Sequence, residues 1–223
     1  PYTSRMANFE TDIAAATAAL PEPLPSGAVA SFTTLLSELE RWNRRVNLTA
    51  IREPADMIEG HLLDSLVVRS CLQGHAVADI GTGAGFPGLP LAIAEPERAF
   101  TLIDSNGKKI AFVEHAARLL GLDNVTARRV RTEDYAPEQC FDTVIARAVG
   151  TLDNLLQIAG HLVREDGVFV ALKGRYPKQE LEQVPDSWAT EVVSLDVPGL
   201  EQGSRHAVLL CPKNDDDTHN RGS

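Results

Sequence analysis

The sequence predicts an α/β fold with a mostly parallel central sheet, an antiparallel C-terminal hairpin and an N-terminal helical extension. Residues 7–70 carry apolar side chains at helical spacing. From residue 76 onward, short apolar runs alternate with helical stretches, which is the pattern of right-handed strand–helix–strand crossovers. A segment containing Pro-Gly joins the last two apolar runs, as expected for a hairpin that completes a sheet.

The helical extension is predicted to comprise residues 1–70. The stretch TDIAAATAAL (11–20) lacks the basic head of a signal peptide, so we expect a helix of a soluble protein. The Pro-rich segment PEPLPSG (21–27) separates it from a second helix, in which Phe32, Leu36 and Leu39 recur at helical spacing. Pro54 fits the first turn of a further helix.

The sheet domain is predicted to comprise residues 71–213. Its expected strands are residues 76–80, 99–104, 124–130, 141–148, 167–174, 188–197 and 205–212. Between the second and third strands, KKIAFVEHAARLLGL (108–122) has one apolar face and a glycine stop at Gly121. The polar segment NDDDTHNRGS (214–223) is predicted to be a disordered acidic tail.

Composition excludes several classes of function. The formal net charge of −10 argues against indiscriminate nucleic-acid binding, although it leaves room for a local basic face. No apolar run approaches the ~18–20 residues that cross a bilayer, so we expect no membrane partner. The cysteines Cys71, Cys140 and Cys211 are widely separated, which suits a cytoplasmic protein and predicts no metal site. Cys140 is expected to be a buried structural residue.

The segment ADIGTGAGFPG (78–88) places three glycines, Gly81, Gly83 and Gly85, directly after the first predicted strand. In open parallel sheets, ligands bind at this edge, outside the carboxyl ends of the strands. The spacing is G-x-G-x-G, and Phe86 occupies the third glycine position of the dinucleotide pattern G-x-G-x-x-G. The pattern therefore weakens a dinucleotide interpretation without removing it.

Acidic residues follow the next two strands. Asp104 ends the second strand, where a carboxylate accepts hydrogen bonds from a ribose diol, and Ser105 lies beside it. In RTEDY (131–135), Glu133 or Asp134 is expected near an adenine, with Thr132 supplying backbone or hydroxyl contacts, and solvation is the alternative for Asp134. For Asp104, the alternative is an N-cap of the following helix.

A cationic donor suits this edge better than a diphosphate. Asp79, Asp104 and Glu133 are expected to form an acidic lining, and the glycine turn contains no basic residue. S-adenosyl-L-methionine is cationic at sulfur and has no phosphate, so the lining favours it over a nicotinamide dinucleotide. Asp79 has an alternative role as a cap of the turn.

The order and spacing of several motifs resemble those of the bacterial RsmG (GidB) family, which methylates N7 of a guanine in 16S ribosomal RNA. The resemblance covers roughly residues 30–212. The motifs are RWNRRVNLTAI (41–51), HLLDSL (61–66), DIGTGAGFPGLPLAI (79–93), LIDSNGKKIAFV (102–113), VIARAV (144–149), ALKG (171–174) and SRHAVLL (204–210).

The resemblance implies a Rossmann-like class I S-adenosylmethionine-dependent methyltransferase fold. It implies S-adenosyl-L-methionine as cofactor and, as partner, 16S rRNA within the small ribosomal subunit or its precursor. We further expect a monomer without a metal. The family's donor-binding positions correspond here to Gly81, Phe86, Thr132, Glu133 and Arg147, with Asp104 at the ribose position.

Three residues are expected to be catalytic: Arg147, His61 and Asp64. Arg147 ends a predicted buried strand, where an unpaired guanidinium is costly, so we expect it to pair with a nearby acid, with the donor's carboxylate or with guanine O6. His61, Asp64 and Ser65 share helical spacing. The resemblance places them at the mouth of the donor pocket, with a capping network as the alternative, and Asn47 and Thr49 are expected to form the loop that orients them.

Guanine N7 has a free lone pair, so methylation requires no proton removal. The expected mechanism is therefore in-line methyl transfer without a general base. Candidate RNA contacts are Lys173, Arg205, Arg131 and Arg45, for which simple solvation is the alternative.

Two other classes of function remain open. The protein could be a non-catalytic ribosome-assembly or RNA-binding factor that retains the donor-binding fold. An NAD-dependent dehydrogenase is disfavoured by Phe86 at the glycine position and by the lack of a visible hydride-handling His–Asp pair in the second half of the chain.

Overall fold

The computed structural model describes residues 2–147, 150–199 and 205–213. The predicted acidic tail, residues 214–223, lies outside the described residues. Within the described part of the chain, one sheet has the strand order β3-β2-β1-β4-β5-β7-β6. Its strands are β1 (Ala76–Ile80), β2 (Ala99–Asp104), β3 (Val125–Arg129), β4 (Phe141–Arg147), β5 (Val163–Lys173), β6 (Trp188–Leu195) and β7 (Arg205–Pro212).

Helices precede the sheet and connect its strands. The α-helices are α1 (Tyr2–Thr17), α2 (Ala28–Val46), α3 (Pro54–Met57), α4 (Asp64–Leu66), α5 (Gly88–Ala94), α6 (Gly107–Leu120), α7 (Leu152–Ala159) and α8 (Lys178–Leu181). A π-helix spans Ile58–Leu63, and 3₁₀ turns span Arg69–Cys71, Thr132–Asp134 and Gly160–Leu162. As expected, Pro54 lies in the first turn of α3, and Gly121 ends α6 with a left-handed backbone.

The sheet has the predicted topology. β1 pairs in parallel with both β2 and β4, and β3 and β5 extend the parallel part on either side. β7 pairs antiparallel with β5 and with β6, which confirms the C-terminal hairpin. The direction of winding reverses between β1 and β4, so a crevice opens where Ile80 and Arg147 end these strands.

β5 begins earlier than predicted. The run was expected to start at Gly167, but the strand starts at Val163 and is irregular opposite Phe141 and Thr143 of β4. A Cβ at Gly167 would lie 2.9 Å from the Asp142 carbonyl oxygen, so glycine permits the close approach of the strands at this bulge. Residues 164–166 are polar and interrupt the apolar run, so the sequence pattern did not indicate the first part of the strand.

The helical extension and the sheet share one hydrophobic cluster. Phe32 of α2 is fully buried in the same cluster as Phe100 of β2 and Phe112 of α6. Trp42 of α2 meets the Phe112 ring edge-on, with 5.6 Å between the centroids. The predicted boundary at residue 70 therefore separates helices from the sheet along the chain, while the core runs across it.

We expect Phe32→Ala to destabilise the whole protein, because its side chain fills the shared cluster. The expected loss is about 3–5 kcal/mol in the free energy of unfolding, with α2 and the sheet still melting in one transition. Thermal denaturation followed by far-UV circular dichroism and by Trp fluorescence measures both the loss of stability and the number of transitions. Arg45→Ala, at an exposed position of the same helix, is the control. Separate transitions for helices and sheet would contradict a shared core.

Candidate functional site

The glycine turn leaves β1 with backbone conformations that favour glycine. Gly81, Gly83 and Gly85 have φ angles of 62°, 61° and 87°, in the left-handed region that residues with a Cβ rarely adopt. A Cβ at Gly85 would overlap the Leu89 side chain, whereas at Gly83 it would meet nothing closer than 3.9 Å. The turn therefore packs tightly on α5 at Gly85 and exposes bare main chain at Gly83.

Asp79 holds this turn from beneath. It is 1% exposed, and its Oδ2 accepts hydrogen bonds from Thr82 Oγ1 at 2.6 Å and from the Gly88 N–H at 2.9 Å. Burial raises the pKa of Asp79 to about 6, although these bonds and the charge of Arg147 act in the opposite direction. Asp79 is absent from the lining of both cavities described below, so it caps the turn.

Asp104 lies on the open side of the same turn. Its Oδ2 accepts from the Gly83 N–H at 3.0 Å, and its Oδ1 accepts from the Asn106 N–H at 2.8 Å. The N-cap of α6 is Asn106, whose side chain accepts from the N–H groups of Lys108 and Lys109. The N-cap alternative for Asp104 is therefore wrong.

A groove of about 460 Å³, here called the outer groove, opens beside Asp104 at the ends of β1 and β2. It gathers most of the residues expected to bind a donor. Its lining consists of Gly81, Asp104, Ser105, Lys109, Arg131, Thr132, Glu133 and Arg147.

The charge of the outer groove differs from the expected acidic lining. Lys109 Nζ lies 4.0 Å from Asp104 Oδ2, and Arg131 Nη1 lies 3.5 Å from Glu133 Oε1. With Arg147, three cations thus share the groove with two acids, and Asp79 is buried below it. The sequence missed Lys109 because this residue reaches the groove from α6 rather than from the glycine turn.

A second cavity of about 450 Å³, here called the inner cavity, adjoins the outer groove. The two share Gly81 and Arg147. Gly81 directly follows β1, and Arg147 is the last residue of β4, the two strands that flank the switch point. The inner cavity is lined by Leu48, Thr49, Ile51, Gly60, His61, Asp64, Gly81, Thr82, Gly83, Ala84, Phe86, Arg147, Leu172, Lys173, Gly174, Leu195, Arg205 and His206.

His61 forms one wall of the inner cavity as a neutral imidazole. Its ring stacks on Phe86 with 4.8 Å between centroids, and it is 7% exposed. Its Nδ1 lies 3.3 Å from Arg147 Nη2, and its Nε2 lies 2.8 Å from Thr49 Oγ1. Because arginine only donates, Nδ1 accepts and Nε2–H donates to Thr49. Burial, and then the charge of Arg147, lower the pKa of His61 to about 4.

Asp64 bridges two arginines across the inner cavity. Its Oδ2 lies 3.2 Å from Arg147 Nη1, and its Oδ1 lies 2.7 Å from Arg205 Nε. Arg147 Nη1 also donates to the Gly60 carbonyl oxygen at 3.0 Å. Arg147 is thus paired with a nearby acid, one of its three expected partners, and it joins the helical segment to the end of β4.

The segment HLLDSL (61–66) does not have the expected helical spacing throughout. It begins inside the π-helix, and the Asp64 N–H donates to the carbonyl oxygen of Glu59, five residues earlier. Ser65, which was expected at the pocket mouth, is fully buried and donates to the His61 carbonyl oxygen. The wider turn brings the carbonyl of Gly60, a contact that sequence periodicity did not indicate, to Arg147.

The four candidate RNA contacts lie in different settings. Lys173 Nζ is held by Glu180 Oε2 at 2.7 Å and by the Gly150 carbonyl oxygen at 2.9 Å. Arg205 lines the inner cavity, Arg131 borders the outer groove, and both pair with an acid. Arg45 is exposed near the end of α2, outside the lining of either cavity.

The expectation that Cys140 is buried is wrong. The residue is exposed, and its Sγ lies 3.5 Å from the His161 carbonyl oxygen. The physical reason is that β4 begins only at Phe141, so Cys140 remains in the preceding loop. Across the described part of the chain, no cluster of three metal-ligating side chains occurs. No helix in those same residues is long and apolar enough to cross a membrane.

Comparison with known proteins shows the family. The model of the GidB family, described as rRNA small subunit methyltransferase G, matches residues 28–208. The ribosomal RNA small subunit methyltransferase G of Idiomarina loihiensis is 47% identical over 180 residues, 80% of this chain and 87% of that protein. The Vibrio campbellii protein of the same name is 47% identical over 178 residues, 78% of this chain and 83% of that protein.

Solved structures share the fold at low sequence identity. The precorrin-6y C5,15-methyltransferase of Geobacter metallireducens has a TM-score of 0.53 and 15% identity, covering 67% of this chain and 87% of that one. An S-adenosylmethionine-dependent methyltransferase of Thiobacillus denitrificans, in complex with S-adenosyl-L-homocysteine, has a TM-score of 0.52 and 12% identity, covering 68% and 91%. The chain belongs to the rRNA small subunit methyltransferase G family, and its fold is that of the class I methyltransferases.

The lowered pKa of His61 predicts an acid sensitivity. Unfolded chain takes up this proton near pH 6.5, whereas the folded protein takes it up only near pH 4, so the stability contributed by neutral His61 is lost as pH falls between these values. From pH 7 to pH 5, wild type should lose about 2 kcal/mol more free energy of unfolding than His61→Gln.

Urea denaturation at the two pH values measures the difference. The raised pKa of Asp79 acts with the opposite sign, but it is common to both proteins and cancels. An equal loss in wild type and His61→Gln would show that burial of His61 does not exclude its proton.

Proposed function

We propose that this protein transfers a methyl group from S-adenosyl-L-methionine to N7 of a guanine in 16S rRNA of the small ribosomal subunit. The observation that carries the proposal is the pair of adjoining cavities that share Gly81 and Arg147. The outer groove has the polar groups that suit the nucleoside of the donor, and the inner cavity could receive the guanine. The donor and the guanine would therefore meet beside Gly81 and Arg147. Membership of the family supports ribosomal RNA as the acceptor.

The residues of the outer groove fit S-adenosyl-L-methionine, which when bound supplies an electrophilic methyl group. Gly83 and Phe86 line the adjoining inner cavity rather than the outer groove, and the open main chain at Gly83 permits close approach of a ligand from that side. Asp104, with a side chain 11% exposed, offers its carboxylate to a ribose diol, and Thr132 and Glu133 flank the space for an adenine. Gly81, Gly85, Phe86 and Ser105 complete the proposed donor-binding set, with Arg147 directed to the donor's carboxylate.

The hydrogen bonds of the inner cavity fit a reaction that needs no general base to remove a proton. Both ring nitrogens of His61 are hydrogen-bonded, and both carboxylate oxygens of Asp64 are held by arginines. His61 and Asp64 are therefore assigned to positioning the acceptor rather than to removing a proton. Alignment of the reacting atoms in such a site can contribute ~7–11 kcal/mol to catalysis.

The target guanine is proposed to be unpaired or flipped, because N7 is least accessible in the deep groove of an A-form helix. An acidic protein with a net charge of −10 gains little from general phosphate attraction. It would therefore act on RNA presented by the small subunit or its precursor. We propose that it does so as a cytoplasmic monomer.

The experiment that tests this function uses small ribosomal subunits from cells that lack the protein, incubated with it and with S-adenosyl-L-methionine labelled in the methyl group. We expect label in 16S rRNA at one guanine, with the chemical cleavage pattern of 7-methylguanosine. Label on another atom would refute the N7 assignment. No labelling of subunits, precursors or naked RNA would favour a non-catalytic assembly factor.

Arg147→Ala should abolish most methyl transfer while the protein remains folded. The substitution removes charge-assisted bonds at the junction of the two cavities, and Asp64 keeps its pair with Arg205. We expect kcat/KM to fall about 10- to 150-fold, as for the loss of 1.5–3 kcal/mol, with little change in Tm. Arg118→Ala, at an exposed position on α6, is the control. Loss of cooperative unfolding in Arg147→Ala would instead make its role structural.

Asp104→Asn should weaken donor binding about tenfold or more, because a charged acceptor for the ribose diol becomes a neutral amide. Calorimetric titration with S-adenosyl-L-methionine measures the change, and a parallel titration with NAD tests the dehydrogenase alternative. Asp134→Asn, at an exposed position on the neighbouring 3₁₀ turn, should bind as wild type does. Equal affinity in both variants would remove Asp104 from the donor site.

A further inference from the structure

We propose that Tyr176, with the neighbouring cations Arg175 and Lys178, is a stacking platform for an unpaired base of the RNA, next to the target guanine. These three residues are here called the platform. The proposal deepens the proposed function, since it rests on RNA being the substrate, and it adds a subsite outside both cavities.

The exposure of Tyr176 is unusual for this protein. Within the described residues, the large hydrophobic side chains that are exposed are Leu119, at 51%, and Tyr176, at 57%. The Tyr176 ring meets the His206 ring edge-on, with 5.6 Å between centroids and 85° between planes. His206 lines the inner cavity together with Lys173 and Gly174. Tyr176 therefore lies at the rim of the inner cavity and offers an aromatic surface to solvent.

The segment that carries Tyr176 is fixed at both ends. Lys173 Nζ bonds to Glu180 Oε2, and the same oxygen accepts from the Leu152 N–H at 2.9 Å. Pro177, next to Tyr176, is buried. The Lys173–Glu180 pair thus closes residues 174–179 into a short loop anchored to α7. A ring held on such a loop loses little freedom when a base stacks on it.

The charges around Tyr176 favour RNA over a protein partner. Arg175 and Lys178 are exposed on either side of it, and the side chain of Arg205 is 31% exposed at the neighbouring end of β7. Aromatic rings flanked by cations bind single-stranded RNA by stacking on bases and contacting phosphates. A docking site for a protein would more typically present a contiguous apolar patch.

The first test measures binding to a fluorescein-labelled, unstructured oligonucleotide of uridines with one central guanosine, by anisotropy at several salt concentrations. Tyr176→Ala should weaken binding about 5- to 150-fold, as for the loss of one stacked base, with an unchanged salt dependence. Tyr176→Phe and Tyr176→Trp should bind within about twofold of wild type, since both retain an aromatic face. Leu119→Ala, the matched loss of an exposed apolar side chain, should have no effect.

The second test separates stacking from charge. Arg175→Gln and Lys178→Gln should each reduce the slope of log affinity against log salt by about 0.7, as for one phosphate contact to a single strand. Neither change should alter the affinity for S-adenosyl-L-methionine.

Two results would overturn the platform: wild type that does not bind the oligonucleotide, or Tyr176→Ala that binds it as wild type does. A defect of Tyr176→Ala seen with whole subunits but not with the oligonucleotide would assign the ring to folded rRNA or to a ribosomal protein rather than to an unpaired base, and it would also overturn the platform. If Tyr176→Ala loses RNA affinity but wild type methylates no RNA, the platform stands and the proposed function fails. If wild type methylates N7, and Tyr176→Ala does so with unchanged kcat/KM and unchanged RNA affinity, the proposed function stands and the platform fails.

Discussion

The ion pair between Arg147 and Asp64 ties the helical part of the chain to the end of the sheet. Arg147 is the last residue of β4, and Asp64 begins α4, directly after the π-helix. A guanidinium placed there without partners would carry a large desolvation cost. The bonds to Asp64, to the Gly60 carbonyl oxygen and to His61 meet that cost, and they fix one wall of the inner cavity relative to the glycine turn.

The aspartates Asp79, Asp104 and Asp64 lie near this edge of the sheet, and their surroundings give them different roles. Asp79 is buried beneath the turn, where it accepts from the Thr82 hydroxyl and the Gly88 N–H and holds the turn in place. Asp104 uses one lone pair on each oxygen for the backbone and keeps a face toward the outer groove. Asp64 is neutralised by two arginines. Sequence adjacency to a strand end therefore does not identify a ligand-binding acid.

Much of the fold could be predicted because its signals are local. The alternation of apolar runs gave the strands, and the glycines of the turn could be located because left-handed backbone requires them. The partner of Arg147 was expected in general terms, since a buried guanidinium at a strand end needs one. These inferences depend on residues that are close in sequence or on a general cost of burial.

The remaining features depend on contacts between distant segments. The start of β5 was missed because polar residues lie beside the bulge at Gly167. The exposure of Cys140 was missed because it depends on how the loop before β4 packs against the rest of the fold. Lys109 lies in the motif LIDSNGKKIAFV, but its approach to Asp104 in the outer groove depends on the packing of α6 against the end of β2. Thr49 was expected to orient the catalytic segment, but its bond to His61 Nε2, and hence the tautomer, could be seen only in the folded protein.

The π-helix at Ile58–Leu63 has a consequence for how this chain can vary. Each residue of a regular helix turns the side chains that follow by about 100°, and the π-helix accommodates one residue more per turn than an α-helix repeat would. In an α-helix the Asp64 N–H would bond to the Gly60 carbonyl oxygen, but in this turn it bonds to the Glu59 carbonyl oxygen, and the Gly60 carbonyl accepts from Arg147. Deleting a single residue here would restore the α-helical repeat, in which the Asp64 N–H would compete with Arg147 for the carbonyl four residues earlier. The extra residue of this turn therefore leaves a backbone acceptor available to the guanidinium at the end of β4.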